Sequence, residues 1–146
     1  SYDRLIKQYH EKTILHCDIH RNNILLNKAD GNLILIDFDD FRVGPPIIDL
    51  AIMIQMLCFE KIAFDVAMAK QILFGYYSNS PNDVKININD ILTIMLFNLA
   101  CACEYYLQEG HHDNYAQFNH GYKKFLHIQS SAEQIIKELS TFNLHI

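Results

Sequence analysis

Three apolar runs near the start of the chain, Thr13–Leu15, Ile24–Leu26 and Leu33–Phe38, are too short for helices and are separated by polar segments. Their content of Thr, Ile, Leu and Phe, with Asp30-Gly31 between the last two, predicts short strands and a hairpin turn. After Pro45-Pro46 the pattern changes to helical spacing and stays so to the end. Proline suits a helix's first turn, so a helix is expected from Ile47 to about Phe59 and a second over about Lys61–Tyr77. Ser78–Asn89, with Pro81, reads as a polar loop. Asn89 is the expected N-cap of a long helix from Asp90 to Glu109, ended by Gly110. That helix is apolar on nearly every side up to Cys103, which predicts a buried central position. A stripe of Tyr115, Phe118, Tyr122, Phe125 and Leu126 marks a helix over Asp113–Ile128, and Ser130 with Glu133 forms a capping box for a last helix ending near Leu139. Leu5, Ile6 and Tyr9 give a short leading helix within Tyr2–Lys12. The fold class is α+β, mostly helical, with residues 1–146 as a single domain: a small β hairpin carrying polar loops, then a helical bundle.

The polar segments between the short strands carry the chemistry. His16-Cys17-Asp18-Ile19-His20-Arg21-Asn22-Asn23 places an acid and an amide five residues apart, and Ile36-Asp37-Phe38-Asp39 delivers another acid fourteen residues after the amide. Phosphoryl transfer needs such a set. One carboxylate accepts the proton of the attacking hydroxyl, while an amide and a second carboxylate hold Mg²⁺ against the nucleotide phosphates. Asp18 alone would read as a turn or capping residue, and Asp37 alone as a strand-end acid. The ordered set H-x-D-x-x-x-x-N followed by I-D-F makes Asp18 the candidate catalytic base, with Asn23 and Asp37 the candidate Mg²⁺ ligands at the nucleotide.

The stretch from Ile14 to Ala51 resembles the catalytic core of the aminoglycoside phosphotransferase and choline kinase superfamily, relatives of the protein kinases. The resemblance rests on His16–Asn23, Ile36–Asp39, Gly44-Pro45-Pro46 and Asp49-Leu50-Ala51, about a quarter of the chain. Asp37-Phe38-Asp39-Asp40 with Gly44-Pro45 is similar to the stress-response kinase A branch. The resemblance implies the C-terminal lobe of a protein-kinase-like fold, with ATP and Mg²⁺ as cofactors and transfer of the γ-phosphoryl group to a hydroxyl of a small molecule, as in aminoglycoside, choline and homoserine kinases. It makes His16 an organiser of the backbone and Asp49 a brace of the catalytic loop, besides complementing a helix dipole. It places His20 near the phosphates and makes Asp39 a possible support of the metal shell or substrate. Two departures stand out: Cys17 replaces the usual glycine, and Arg21-Asn22 a commoner Pro-Gly. The alternatives are a Ser/Thr protein kinase of the stress-response type and a non-catalytic pseudokinase-like binding module.

The five glycines are scattered singly, and no β-strand lysine followed by a helix glutamate precedes the motif. The expectation is therefore a piece of a longer enzyme whose nucleotide-binding lobe lies elsewhere, inactive by itself and open to self-association through the exposed lobe interface. The net charge of −5, without clustered Lys or Arg, argues against nucleic acid. The longest apolar runs, Ile47–Phe59 and Ile91–Cys103, are interrupted by Asp49, Gln55 and Asn98 and are shorter than the ~20 residues of a bilayer span. Cys17, Cys58, Cys101 and Cys103 lack metal or disulfide spacing, which fits a reducing, cytoplasmic setting. His111-His112 with Asp113 reads as solvated rather than metal-binding. Met53, Met56, Met68 and Met95 read as core filler, and Tyr76-Tyr77 and Tyr105-Tyr106 as packing residues with at most a share in a cleft wall.

Overall fold

A computed structural model describes residues 2–9, 11–80, 86–108 and 115–141. Helix α1 (Tyr2–Gln8) leads into strand β1 (Thr13–Leu15), a 3-10 turn at Arg21–Asn23, and the hairpin of β2 (Ile24–Leu26) and β3 (Leu33–Leu35). Strand β4 (Arg42–Gly44) returns to pair antiparallel with β1, Leu15 opposite Arg42 and Thr13 opposite Gly44. Then come α2 (Ile47–Leu57), a short hairpin of β5 (Phe59–Glu60) and β6 (Ala63–Phe64), α3 (Val66–Asn79), α4 (Ile88–Gln108) and α5 (Tyr115–Ser140). The architecture is mostly helical with small antiparallel ladders, the α+β class expected from the apolar patterning.

The hairpin turn forms where Asp30-Gly31 predicts it. Asn27 and Asn32 close it with a 2.8 Å backbone bond, Asp30 Oδ1 accepts the Asn32 N–H at 2.9 Å, and Gly31 takes φ +75°. At Gly44 a Cβ would stand 2.8 Å from Leu15 Cδ1, so a larger residue there would require the Leu15 side chain to shift. That close approach lets β4 lie over β1 and deliver Pro45-Pro46 to the start of α2.

Several boundaries differ from the sequence expectation. The helix expected over Lys61–Tyr77 begins only at Val66, because Phe59–Phe64 fold into the β5–β6 hairpin. Lys61 occupies its turn at φ +59°, a conformation usually marked by Gly or Asn, so the turn was hidden. Asp65 is the N-cap of α3, its carboxylate accepting the Met68 N–H at 3.0 Å. Strand β3 stops at Leu35, short of Phe38, because the chain reverses at Asp37 with φ +66°. Asn87, not Asn89, starts α4: its side chain accepts the Asn89 N–H and its carbonyl the N–H groups of Asp90 and Ile91. The two helices expected to meet near Ser130 are one 26-residue helix, α5. Ser130 Oγ donates to the His127 carbonyl within it and caps nothing. The Pro81 loop core, the Gly110 stop and the His111-His112-Asp113 cluster lie outside the described residues.

The core gathers between α2, α4 and α5, with Ile47, Leu50, Ile54, Ile91, Ile94, Met95 and Ile128 among its most buried side chains. At roughly 1.5–3 kcal/mol for each large aliphatic side chain taken from water, this cluster is the main stabilising element. Tyr9 ties the segment after α1 to α4 by donating its hydroxyl to Asp90 at 2.7 Å. Helix α4 is 21 residues and, by length and composition, apolar enough to cross a membrane. In this fold it packs along α5, α2 and α1, burying Ile91, Leu92, Ile94, Met95 and Leu99 while Phe97, Cys101, Tyr105 and Leu107 remain exposed. It is central but not buried on all sides, as its sequence had suggested.

Candidate active site

The His16–Asn23 loop is held by one carboxylate from α2 and by hydrogen bonds among its own residues. Asp49, in the first turn of α2, accepts the His16 N–H on Oδ2 at 2.7 Å and the Cys17 N–H on Oδ1 at 2.9 Å. Cys17 then takes φ +65°, turning the chain so that Asp18 faces the opening between β1 and α2. Cys17 thus holds, despite its side chain, a left-handed backbone that glycine would take without strain.

His16 is 2 % exposed. Its Nε2 lies 2.8 Å from the Ile36 carbonyl, which can only accept, so the Nε2–H donates there. Its Nδ1 consequently carries no hydrogen and accepts the Asp18 N–H at 3.3 Å. The ring also rests against Phe38, with centroids 4.4 Å apart. One imidazole therefore joins the His16–Asn23 loop to the Ile36–Phe38 segment. A second tie runs from the Ile36 N–H to the Asn23 carbonyl at 3.0 Å.

Asn23 is 5 % exposed and spends its amide hydrogens on Asp18: Nδ2 lies 3.0 Å from both the Asp18 carbonyl and its Oδ2. This leaves Asn23 Oδ1 as the hard oxygen available to a cation. His20 approaches the same carboxylate oxygen, with Nε2 at 3.2 Å from Asp18 Oδ2, while its Nδ1 accepts the Asn22 N–H at the start of the 3-10 turn. The structure thus puts His20 against Asp18. Asp18 Oδ2 is fully engaged; its Oδ1 is free of hydrogen bonds among the described residues, and the side chain is 39 % exposed.

Asp37 follows Ile36 directly and is exposed; Asp39 lies on the tight turn closed by the Phe41 N–H and the Phe38 carbonyl. Neither carboxylate has a hydrogen-bond or ion-pair partner among the described residues. Asp18, Asn23, His20, His16 and Asp49 are brought together; Asp37 joins them through the backbone of Ile36, and Asp39 stands further out on the turn. No cluster of three His, Cys, Asp or Glu suited to a metal occurs among the described residues. Asn23 Oδ1 and the Asp37 carboxylate are hard oxygens of the type Mg²⁺ prefers, an ion that takes one or two protein oxygens and completes its shell with water and phosphate.

A cleft of about 480 Å³ opens beside Asp18, between β1, β4, α2 and α4. Leu15, Ile48, Ile52, Met56 and Phe97 give it apolar walls, and Gln55 and Asn98 contribute two amides. Among the described residues Gln55 Oε1 and Asn98 Nδ2 are buried without a hydrogen-bond partner. An orphaned buried amide atom costs about 1–3 kcal/mol. Both residues were visible in the sequence as polar breaks in apolar helices, although nothing there said that they line one cleft.

Residues 2–79, just over half of the chain and the whole segment from α1 through α3, match the family model of the phosphotransferase enzyme family, APH. The chain belongs to this family, within the aminoglycoside phosphotransferase and choline kinase superfamily. No curated protein and no solved structure matches it.

Proposed function

We propose that this chain carries the catalytic loop of an ATP- and Mg²⁺-dependent kinase that phosphorylates a hydroxyl of a small molecule. The observation that carries the proposal is the state of Asp18. Asn23 and His20 hold its Oδ2, its Oδ1 has no hydrogen bond among the described residues, and the residue lines a cleft of small-molecule size. A carboxylate fixed in this way receives an acceptor hydroxyl in one geometry, and holding the reactants in line supplies much of the rate in this chemistry. Asp18 Oδ1 accepts the hydroxyl hydrogen and takes the proton as the new O–P bond forms and the bond from the γ-phosphorus to the β,γ-bridging oxygen breaks, releasing ADP. Asn23 Oδ1 and the Asp37 carboxylate would hold Mg²⁺. When bound, the ion neutralises charge developing on the phosphate oxygens. The His20 ring steadies Asp18 in this reading, while His16 and Asp49 are positioning residues.

The same reading makes residues 1–146 the C-terminal lobe of a two-lobed fold. Its support is an apolar surface around the two ladders, where Ile14, Leu25, Leu33, Ile34, Phe41 and Val43 are all exposed. Exposed large apolar side chains gathered on short ladders suit an interaction surface, and here the partner is a phosphate-covering lobe above and a nucleotide base between. Left uncovered, the patch would drive self-association. Four free thiols suit a reducing, ATP-rich compartment, and we place the enzyme in the cytoplasm.

The test is ADP release and ³¹P NMR with the full-length protein, Mg-ATP and a panel of hydroxyl compounds. Transfer to at least one acceptor, reduced by about 10³-fold or more in Asp18→Ala with nucleotide binding retained, is the expected result. Transfer that persists undiminished in Asp18→Ala removes Asp18 from the base role.

A further inference from the structure

We propose that the cleft beside Asp18 takes a small hydroxy acid with an apolar carbon skeleton, its hydroxyl at Asp18 and its carboxylate on the guanidinium of Arg42. The inference rests on the kinase reading and adds to it the chemical class of the acceptor.

Arg42 carries the argument. Among the described residues it is the one basic residue of the lining, and Asp18 is the one acid. It is exposed, and its guanidinium has no hydrogen-bond or ion-pair partner among the described residues. In the β1–β4 ladder Arg42 stands directly opposite Leu15, and cross-strand partners share one face of a ladder. Leu15 is buried and lines the cleft, so the ladder turns Arg42 to that same side. Asp18 follows closely after Leu15 in the chain. Cys17, between them, responds to the same cation: burial and the Asp49 charge push its thiol up, and the Arg42 charge pulls against them.

A free guanidinium selects an anion, and its being single selects which. It offers two parallel N–H···O bonds to a carboxylate and balances that group's one charge. A phosphate monoester would bring about −1.5 to −2 into a lining that already holds Asp18. A cationic acceptor would be repelled by Arg42. The walls supply the rest. Leu15, Ile48, Ile52, Met56 and Phe97 line the cleft, and Met56 and Phe97 are 41 % and 42 % exposed, so a ligand reaches them. The unpaired atoms of Gln55 and Asn98 are themselves buried and give a ligand no polar handle. An aliphatic or aryl skeleton covers such walls, whereas a sugar would leave hydroxyls unanswered against them. In transfer, the acceptor oxygen bonds the γ-phosphorus as the bond to the β,γ-bridging oxygen breaks. ADP leaves, Asp18 holds the proton, and Arg42 keeps the carboxylate throughout.

The experiment uses the full-length protein with mandelate, tropate and hydroxymethylbenzoate, each set against its own amide, which keeps the hydroxyl and the shape but removes the charge. Lactate, phenylethanolamine and glycerol phosphate are the small-skeleton, cationic and dianionic comparisons. Binding is read by ligand-observed NMR without nucleotide, and transfer by ADP release with Mg-ATP. At least one aryl acid should bind and be phosphorylated with kcat/KM about tenfold or more above its amide and above lactate. Arg42→Gln should raise KM for that acid about tenfold or more, with KM for the amide and for ATP moving less than about twofold. Arg42→Lys should keep part of the preference. The Tm of Arg42→Gln should match the parent's, and a disturbed fold would move acid and amide alike. Equal binding and use of acid and amide, or no binding of either, overturns the proposal and leaves the kinase reading intact. Preference for lactate, phenylethanolamine or glycerol phosphate does the same, as does an acid preference that survives Arg42→Gln. Acids that bind in an Arg42-dependent way but are never phosphorylated would support the cleft assignment and sink the kinase reading instead.

Discussion

Asp49 and His16 are 33 residues apart in sequence, and Asp49 Oδ2 accepts the His16 backbone N–H at 2.7 Å. With the neighbouring bond from Cys17 to Oδ1, one carboxylate satisfies two successive amides at the turn that presents Asp18. Asp49→Ala leaves both N–H groups without an acceptor, one of them in a buried residue. It should cost about 2–4 kcal/mol in chemical denaturation and depress turnover with it. Asp49→Asn keeps one acceptor and should fall between. Equal midpoints and turnover in Asp49→Ala and the parent would show that the loop holds its shape without this brace.

Asp37 tests the metal half of the proposal. At φ +66° it needs a residue that tolerates the left-handed region, so Asp37→Asn is the clean deletion of charge. Nucleotide titrations with and without Mg²⁺ should show the metal-dependent part of affinity reduced about tenfold or more in Asp37→Asn. Asp37→Ala adds backbone strain of about 1 kcal/mol, and a Tm measurement separates that from the metal effect. Identical metal dependence in Asp37→Asn and the parent would remove Asp37 from the ion.

Cys17 offers a stabilising change in the catalytic loop. A non-glycine residue in the left-handed region costs about 1–2 kcal/mol, and glycine gives back about 0.5–1 kcal/mol through the entropy of the unfolded chain. Cys17→Gly should therefore leave Tm unchanged or raise it slightly, while Cys17→Val should lower it by several degrees. A lower Tm for Cys17→Gly than for Cys17→Val would mean that the thiol's packing outweighs the strain.

Alkaline pH should unfold the protein earlier than acid-side behaviour would suggest. Burial, helped by the nearby Asp65 charge, pushes the Cys58 thiol up to about 12, and burial also raises the thiols of Cys17 and Cys103 and the phenols of Tyr9, Tyr76 and Tyr77. Each group stays protonated in the folded chain at a pH where the unfolded chain has lost its proton. The stability they contribute is full below about pH 8.5 and declines as pH rises toward 12. Lys124, depressed by burial, acts in the opposite sense and is outnumbered. Urea melts at pH 8, 9.5 and 10.5 should show falling midpoints, with a shallower fall in Cys58→Ala. A slope that Cys58→Ala leaves unaltered would take Cys58 out of this account.

Local chemistry is what the sequence displays and distant partnership is what it hides. The Asp30-Gly31 turn, the Pro45-Pro46 entry into α2 and the run from Asp18 to Asn23 could be read because each depends on residues within one or two turns of one another. The β5–β6 hairpin escaped because Lys61 holds a backbone that its side chain does not advertise. The unbroken course of α5 through Ser130 escaped because packing along α4 and α3 overrides a local capping pattern. At the site, the bond from His16 to the Ile36 carbonyl and the cleft shared by Gln55 and Asn98 exist only once the elements have docked.

The His16 ring behind the Ile36 carbonyl has a mechanical consequence. The segment that ends in Asp37 is bolted to the loop that carries Asp18, from the buried side, by an imidazole and by the Asn23–Ile36 backbone bond. In the proposed kinase the two acids would therefore travel as one rigid piece as the nucleotide cleft opened and closed, and the distance from Asp18 to Asp37 would not depend on how far it had shut. Closure would then have only to bring the phosphates down onto a gauge already set.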